Sequence, residues 1–179
     1  MIVSDFEKAS INGLMSVFPQ TDHNGCFFHF CQAHYRKIVN LGFKNRYHNE
    51  SSFSLKIRCF SALAFLPCHD VVAGFEELSE DEDIPEEFLS YFELSYIGVM
   101  RGRGSNRRRS TPLFPIPMWN IHSRVQNCMP CTNNSVDGFN NVFFPKYRPV
   151  SFKYLEMYCI FKEGGNFSAY KNSTIRTRG

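Results

Sequence analysis

The chain has 179 residues, a length typical of one domain, and 43% of them are hydrophobic, which is enough for an ordinary core. The formal net charge of +3 does not by itself indicate a nucleic-acid partner, and no apolar run is long enough to span a membrane. Seven cysteines, an odd number, and the lack of a secretory signal favour reduced thiols in the cytosol or nucleus.

The first 42 residues predict two strands that alternate with two helices. "MIVSD" is an apolar, β-branched strand that ends on Asp5, and residues 6–18 show helical spacing before Pro19. "QTDHNG" is typical of a turn, and "CFFHF" at 26–30 is β-prone. Helical spacing then resumes and ends at Gly42. This order predicts an α/β layer.

From about residue 52 the pattern becomes helical throughout. One helix ends before Pro67, and "DVVAGFEEL" and "PEEFLSYFELSYIG" predict an antiparallel helical hairpin joined by an acidic turn. A Pro-rich stretch becomes helical around 119–125, a helix starts near Asn134, and a last helix closes at Gly164 and Gly165. The fold class predicted is therefore α/β, mostly helical, with a disordered tail at 166–179.

Charge is distributed unevenly along the chain. Residues 76–93 contain nine acids and no base, which is typical of a solvated surface, and residues 101–109 contain five arginines and no acid. "RGRGSNRRRS" predicts a flexible basic loop that could follow a phosphate backbone, and a nuclear-import signal is the competing use of the same residues. The candidate DNA-binding residues are Arg101, Arg103, Arg107, Arg108 and Arg109.

Three further sets of residues could carry chemistry. Asp5 follows a buried strand, where α/β sheets place ligand-binding groups, and it could equally cap the helix that begins at Phe6 or Glu7. Cys26 and His29 have the spacing of a zinc half-site, although positions three apart in a strand point to opposite faces. The pair Cys128 and Cys131 has the same spacing, but nothing in the sequence brings the two pairs together.

Asp137, in "CTNNSVDGFN", is the lone acid of an otherwise uncharged segment. It could favour the first turn of a helix through the helix dipole. It could also be aimed back at Asp5, because converging carboxylates hold Mg²⁺ or Mn²⁺ and a pair of such ions drives attack on a phosphodiester.

The order of the segments resembles the animal Mutator-like element (MULE) transposases. The segments are "SDFEKASINGLMSVFP", "GCFFHFCQAHYRKIVNLGF", "ALAFLP", "YFELSYIG", "FPIPMWNIHSRV" and "CTNNSVDGFN", which run from about residue 3 to 160. The resemblance implies an RNase H-like domain over 1–165 that is interrupted by a helical insertion at 49–117. It also implies a protein that cuts and joins DNA with three acids and Mg²⁺ or Mn²⁺.

Carried onto this chain, the resemblance makes Asp5 the second catalytic and metal-binding acid and Asp137 the third. Cys26 and His29 match a Cys-x-x-His signature of the family. Several departures predict an inactive site. The first acid and the opening strands lack counterparts, Asp137 replaces the usual Glu and is about 1.5 Å shorter in reach, Asn140 replaces His, and Cys131 replaces Arg.

Three functions follow from these observations. The first is a truncated transposase catalytic domain with little or no strand transfer, which binds at most one divalent ion weakly. The second is a non-enzymatic DNA- or protein-binding module, and the third is a small zinc protein that uses Cys26, His29, Cys128 and Cys131. The expected partner is DNA, self-association is possible, and the expected compartment is the nucleus or cytoplasm.

Overall fold

The computed structural model describes residues 1–133. The chain begins with strand β1 (Ile2–Ser4), helix α1 (Lys8–Val17) and strand β2 (His23–Gly25). The two strands pair in parallel, with Ile2 opposite His23 and Ser4 opposite Gly25. No helix in this described range is long and apolar enough to cross a membrane.

The predicted second strand is wrong in its position. "CFFHF" is not a strand, because Cys26 precedes helix α2 (Phe27–Asn40) and the strand lies within the predicted turn, at His23–Gly25. The buried residues of α2 are Phe30, His34 and Ile38, which are spaced by four and therefore share one helical face. Local β propensity was outweighed by this longer helical period, which buries three side chains at once.

The predicted helical region is confirmed, with different boundaries. Its elements are α3 (Lys44–Asn49), α4 (Ser51–Ala62), α5 (Val71–Ser79), α6 (Glu86–Phe92, continued by a π-helical turn at Glu93–Ile97), α7 (Ile116–Trp119) and α8 (His122–Gln126). The sequence did not predict α3, and the single helix expected around 119–125 is two short ones. The structure confirms the α/β, mostly helical class, while the RNase H-like arrangement and the domain boundaries stay predictions. The helices expected after Asn134 and the tail lie outside the described residues.

An aromatic core joins the N-terminal unit to the helical region. Phe30 of α2 stacks on Trp119 of α7, with ring centroids 4.8 Å apart, and Tyr96 meets Phe30 edge-on at 5.0 Å. Phe6, which follows β1, packs edge-on against Phe114 at 5.1 Å. Tyr96 and Phe114 of the segment predicted as an insertion therefore share this core with Phe30 of α2 and with Phe6.

His34 is buried inside this aromatic core. Its Nδ1 lies 2.8 Å from the Ser61 hydroxyl of α4, and its Nε2 has no hydrogen-bond partner among the described residues. Burial lowers the pKa of His34 from 6.5 to about 3, so the imidazole is neutral at physiological pH.

The basic segment forms a hairpin rather than an irregular loop. Strands β3 (Met100–Arg101) and β4 (Arg108–Arg109) pair antiparallel, with Met100 opposite Arg109 and Arg101 opposite Arg108. At its base, Gly98 has a φ of 95°, and a Cβ there would collide with the carbonyl oxygen of Ser110. Only glycine allows this close approach without strain.

Candidate functional site

The carboxyl ends of β1 and β2 form one edge of the parallel sheet, and Asp5 lies at this edge. Asp5 is exposed, and its carboxylate makes no hydrogen bond or ion pair with any described residue. The alternative that Asp5 caps α1 is wrong, because the cap position is Glu7 and no side chain caps this helix. A free carboxylate at this edge is available to a ligand.

The backbone next to Asp5 is fixed by its neighbours. The Ser4 hydroxyl donates to the Asp5 carbonyl oxygen at 3.1 Å and lies 2.8 Å from Nε2 of His23. Burial lowers the pKa of His23, which favours its neutral form. Asp5 therefore follows the end of a strand that hydrogen bonds hold in place, and it does not lie in a loose turn.

Arg124 of α8 binds the carboxyl end of β2. Its two terminal nitrogens donate to the Gly25 carbonyl oxygen at 3.3 and 3.2 Å, and one also donates to the Asn120 carbonyl at 3.2 Å. Only 4% of Arg124 is exposed, and burial lowers its pKa. Arg124 was not among the residues that the sequence predicted for the site. The available signal was its position in the sequence. Arg124 lies four residues after Asn120, on the helix that follows the buried Trp119.

Cys26 is the N-cap residue of α2 and His29 lies in the first turn, so the two residues are not on a strand and the expectation that they point to its opposite faces is wrong. Cys26 is fully buried, and its thiol donates to Oδ1 of Asn133 at 3.1 Å. Nδ1 of His29 is buried without a hydrogen-bond partner among the described residues. Cys26 and His29 therefore both lie at the start of α2.

The structure places Cys131, one member of the second cysteine pair, beside the start of α2. The Phe27 amide donates to the Cys131 carbonyl oxygen at 3.0 Å, and burial raises the pKa of the Cys131 thiol. Cys128 is exposed. Even so, no group of three or more His, Cys, Asp or Glu side chains within residues 1–133 is placed to hold a metal ion.

The same finding bears on Mg²⁺ or Mn²⁺. Asp5 is the one candidate carboxylate that the described residues place at the carboxyl edge, and Asp137 lies outside them. A single carboxylate does not make a divalent-cation site, which needs several oxygen ligands. Residues 1–133 alone thus do not fit such an ion, and no catalytic step can be derived from them.

A second candidate site is the β3–β4 hairpin, which Arg109 anchors to the helices. Its guanidinium donates to Glu93 Oε1 at 2.7 Å and to Glu76 Oε1 at 2.8 Å, and it lies 5.8 Å from the Phe75 ring centre. Burial alone would lower the pKa of Arg109, but these carboxylates raise it. Its side chain is only 17% exposed, so Arg109 mainly binds the protein's own helices.

The other four arginines of the hairpin are exposed and form no ion pair within the described residues; they are Arg101, Arg103, Arg107 and Arg108. Arg101 and Arg108 lie directly opposite each other across the two strands. Like charges in such a cross-strand pair repel, and a bound anion would relieve the repulsion. An open pocket of about 860 Å³ lies here, lined by Arg101, Gly102, Asn106, Arg107, Arg108, Arg109, Ser110 and Thr111.

Residues 1–33 match the family model of the MULE transposase domain. The matched segment contains β1, α1, β2 and the first turns of α2, and it therefore carries Asp5, Cys26 and His29. The chain matched none of the curated proteins and none of the solved structures. The family match supports a relationship to MULE transposases through this N-terminal segment, while the resemblance of the later segments stays a prediction.

Proposed function

We propose that this chain derives from a MULE transposase and no longer carries out strand transfer. The observation that supports this most is the overlap between the family match and one structural unit. Residues 1–33 match the family, and the same residues build the parallel β1–α1–β2 unit that leaves Asp5 free at its carboxyl edge. Asp5 is the residue to which the resemblance assigns the second catalytic acid.

The proposal that the chain no longer carries out strand transfer rests on its acidic residues. Strand transfer in this family needs three acids and divalent metal, and residues 1–133 hold no group of three or more His, Cys, Asp or Glu side chains placed to bind a metal ion. Asp137 would reach the metal about 1.5 Å less far than Glu, whereas metal sites tolerate errors of about 0.2 Å. We expect one divalent ion at most, bound weakly, in a protein that acts in the nucleus.

The test is Mn²⁺ binding, followed by calorimetry or by the electron paramagnetic resonance of the free ion. Asp5→Asn should abolish the weak binding while the circular dichroism spectrum stays unchanged. Asp22→Asn is the matched control, because Asp22 is also an exposed acid of the β1–α1–β2 unit and lies at the opposite end of the strands.

Two results would contradict this proposal. Unchanged Mn²⁺ binding in Asp5→Asn would remove Asp5 from the metal site. Strand transfer by the native chain on labelled duplex DNA, lost in Asp5→Asn, would show that the site is active.

A second function, a DNA-binding module, is supported by the hairpin. Four exposed arginines without acidic partners among the described residues, two of them directly opposed, are suited to phosphates of a DNA backbone.

The test of this second function is duplex binding measured by fluorescence anisotropy over a series of salt concentrations. If all four arginines contact phosphates, the logarithm of affinity should fall with the logarithm of salt with a slope of about −3.6. Absence of binding even at the lowest salt concentration would exclude the module.

A further inference from the structure

Ser110 follows three consecutive arginines and lines the arginine pocket. The sequence "NRRRST" places Arg107 three residues and Arg108 two residues before Ser110. Basic residues at these two positions are the pattern that arginine-directed serine kinases select by charge. Ser110 shares the lining of this open pocket with Arg101 and Arg107.

The hydroxyl of Ser110 is chemically available. It accepts a hydrogen bond from the Val99 amide at 3.1 Å, and no described residue accepts its own proton. The Ser110 amide donates to the Val99 carbonyl oxygen at 2.9 Å, so the residue is held at the base of the hairpin by two bonds to Val99.

A kinase must hold its substrate extended, and the hairpin can open locally. Each strand has two residues, and isolated two-stranded hairpins of this kind are marginally stable. Just after the hairpin, the Phe114 amide donates to the Ser95 carbonyl oxygen at 2.8 Å, and the Phe114 ring is buried. Opening residues 101–111 therefore breaks the bonds of Arg109 to Glu76 and Glu93 but leaves the aromatic core in place.

We propose that Ser110 is a phosphorylation site for an arginine-directed serine kinase and that its phosphate turns off DNA binding by the hairpin. Oγ of Ser110 attacks the γ-phosphorus of ATP, and an Oγ–P bond forms. The bond from that phosphorus to the bridging β–γ oxygen breaks, ADP leaves with the electron pair, and the hydroxyl proton passes to the base of the kinase. The second half of this proposal rests on the DNA-binding function proposed above.

Ser110 is a better acceptor than its neighbour Thr111. Thr111 is exposed and has arginines at the same two positions, Arg108 and Arg109, but Pro112 comes directly after it. Proline fixes its own φ and restricts the backbone of the residue before it. The backbone at Thr111, which precedes Pro112, is therefore restricted in a way that the backbone at Ser110 is not. Thr111→Ala is therefore the matched control for Ser110→Ala.

The phosphate would act through charge. It adds about −1.5 to −2 charges at neutral pH and three strong acceptor oxygens. Three of the exposed arginines proposed to contact DNA line the same pocket, and they are Arg101, Arg107 and Arg108. Guanidinium groups pair with phosphate in a bidentate manner. An internal phosphate would thus occupy the groups that otherwise contact DNA.

The experiment treats the full chain with the catalytic subunit of cyclic-AMP-dependent protein kinase and ATP, and it counts phosphates by intact mass spectrometry. The native chain and Thr111→Ala should each gain a phosphate that Ser110→Ala does not gain. Arg107→Ala should slow incorporation at least tenfold. Phosphorylated native protein should bind duplex DNA at least tenfold more weakly than untreated protein, while kinase-treated Ser110→Ala keeps its affinity.

The two proposals can fail separately. No phosphate on the native chain, or the same phosphate on Ser110→Ala, overturns the modification site. Phosphate on Ser110 with unchanged DNA affinity overturns the switch. Phosphate on Ser110 of a chain that never binds DNA overturns both the switch and the DNA-binding function, and leaves the modification site standing.

Discussion

Two regions are highly charged: the acidic turn between α5 and α6, and the basic hairpin β3–β4. They differ in how many of their charged side chains form ion pairs within the protein. In the acidic turn, Lys56 donates to Asp81 at 2.9 Å and to Asp83 at 2.8 Å, and Arg46 also pairs with Asp83. In the hairpin, one arginine of five is paired with acids, and it is Arg109.

This difference separates charge that holds the fold from charge that is available to a partner. Burial opposes the charge on Lys56, yet its hydrogen bonds to Asp83 and Asp81 raise its pKa overall. Arg46 and Lys56 lower the pKa of Asp83. The exposed hairpin arginines have no comparable partners among residues 1–133. Net charge alone, which is +3, would not have shown either role.

Neutralising the exposed hairpin arginines should have the largest effect. Changing Arg101, Arg103, Arg107 and Arg108 to Gln should weaken duplex DNA binding by about a hundredfold or more at low salt, because the phosphate contacts are lost. Thermal stability should not fall, since a repelling cross-strand pair is removed. Anisotropy and thermal melting measure the two effects.

The control for that variant neutralises four exposed residues of the acidic region, which are Glu80, Glu82, Glu86 and Glu87. Their change to Gln should keep or raise DNA affinity. An equal loss in both variants would mean that fold damage, rather than phosphate contact, causes the effect.

Removing Lys56 should cost the acidic turn its stability. Lys56 and Asp81 are 13% and 14% exposed, so Lys56→Met leaves a largely buried carboxylate without its lysine partner. We expect a loss of roughly 2 kcal/mol in the free energy of unfolding. Urea unfolding measures it, and Lys44→Met, at an exposed lysine of α3, should change it by less than about 0.5 kcal/mol. Similar losses in both variants would argue against the network.

The pH dependence distinguishes the aromatic core from the acidic turn. The folded-state pKa of His34 is about 3 and its usual value is 6.5. The unfolded chain therefore binds more protons in this window, and stability falls as pH drops from 6.5 towards 3, by at most about 1.4 kcal/mol per pH unit. Asp83, whose pKa is lowered from 3.8, adds a slope of its own only below about pH 4. His34→Leu should therefore remove the slope above about pH 4, whereas His69→Ala, at an exposed histidine, should keep it. Retention of the slope in His34→Leu would assign it to other groups.

The two acids that anchor Arg109 should have the smallest effects and should differ. The Glu93 side chain is 28% exposed and the Glu76 side chain is 56% exposed. Glu93→Gln should cost about 1 kcal/mol and Glu76→Gln less than about 0.5 kcal/mol, because solvent screens the outer pair more strongly. Equal costs in urea unfolding would show that exposure does not rank these pairs.

Local pattern predicted much of the fold. The β-branched run at Ile2–Ser4 predicted β1, and the helical spacing of Phe53, Ile57 and Phe60 predicted α4 with its buried face. The pattern failed at "CFFHF", because short aromatic runs fit a strand or a buried helix equally well and only packing against Trp119 decides between them.

The candidate site was predicted in part. Asp5 at a strand end and the arginines at 101–109 were readable from residue type and position. The sequence did not show that Arg109 turns inward while its neighbours face solvent, since all five arginines look alike in a line of text. It also could not show that Arg124 is buried against the Gly25 carbonyl, a contact between residues that are far apart along the chain.

The sequence by itself thus determined the helical and strand periodicity, the charge segregation and the position of Asp5 after a strand. The tertiary structure decided which charged side chains form ion pairs within the protein and which remain available to a partner. The pairing depends on side chains distant in sequence, such as Lys56 with Asp81 and Glu76 with Arg109. It also placed Cys131 beside Phe27, through a backbone hydrogen bond of 3.0 Å that no local spacing encodes.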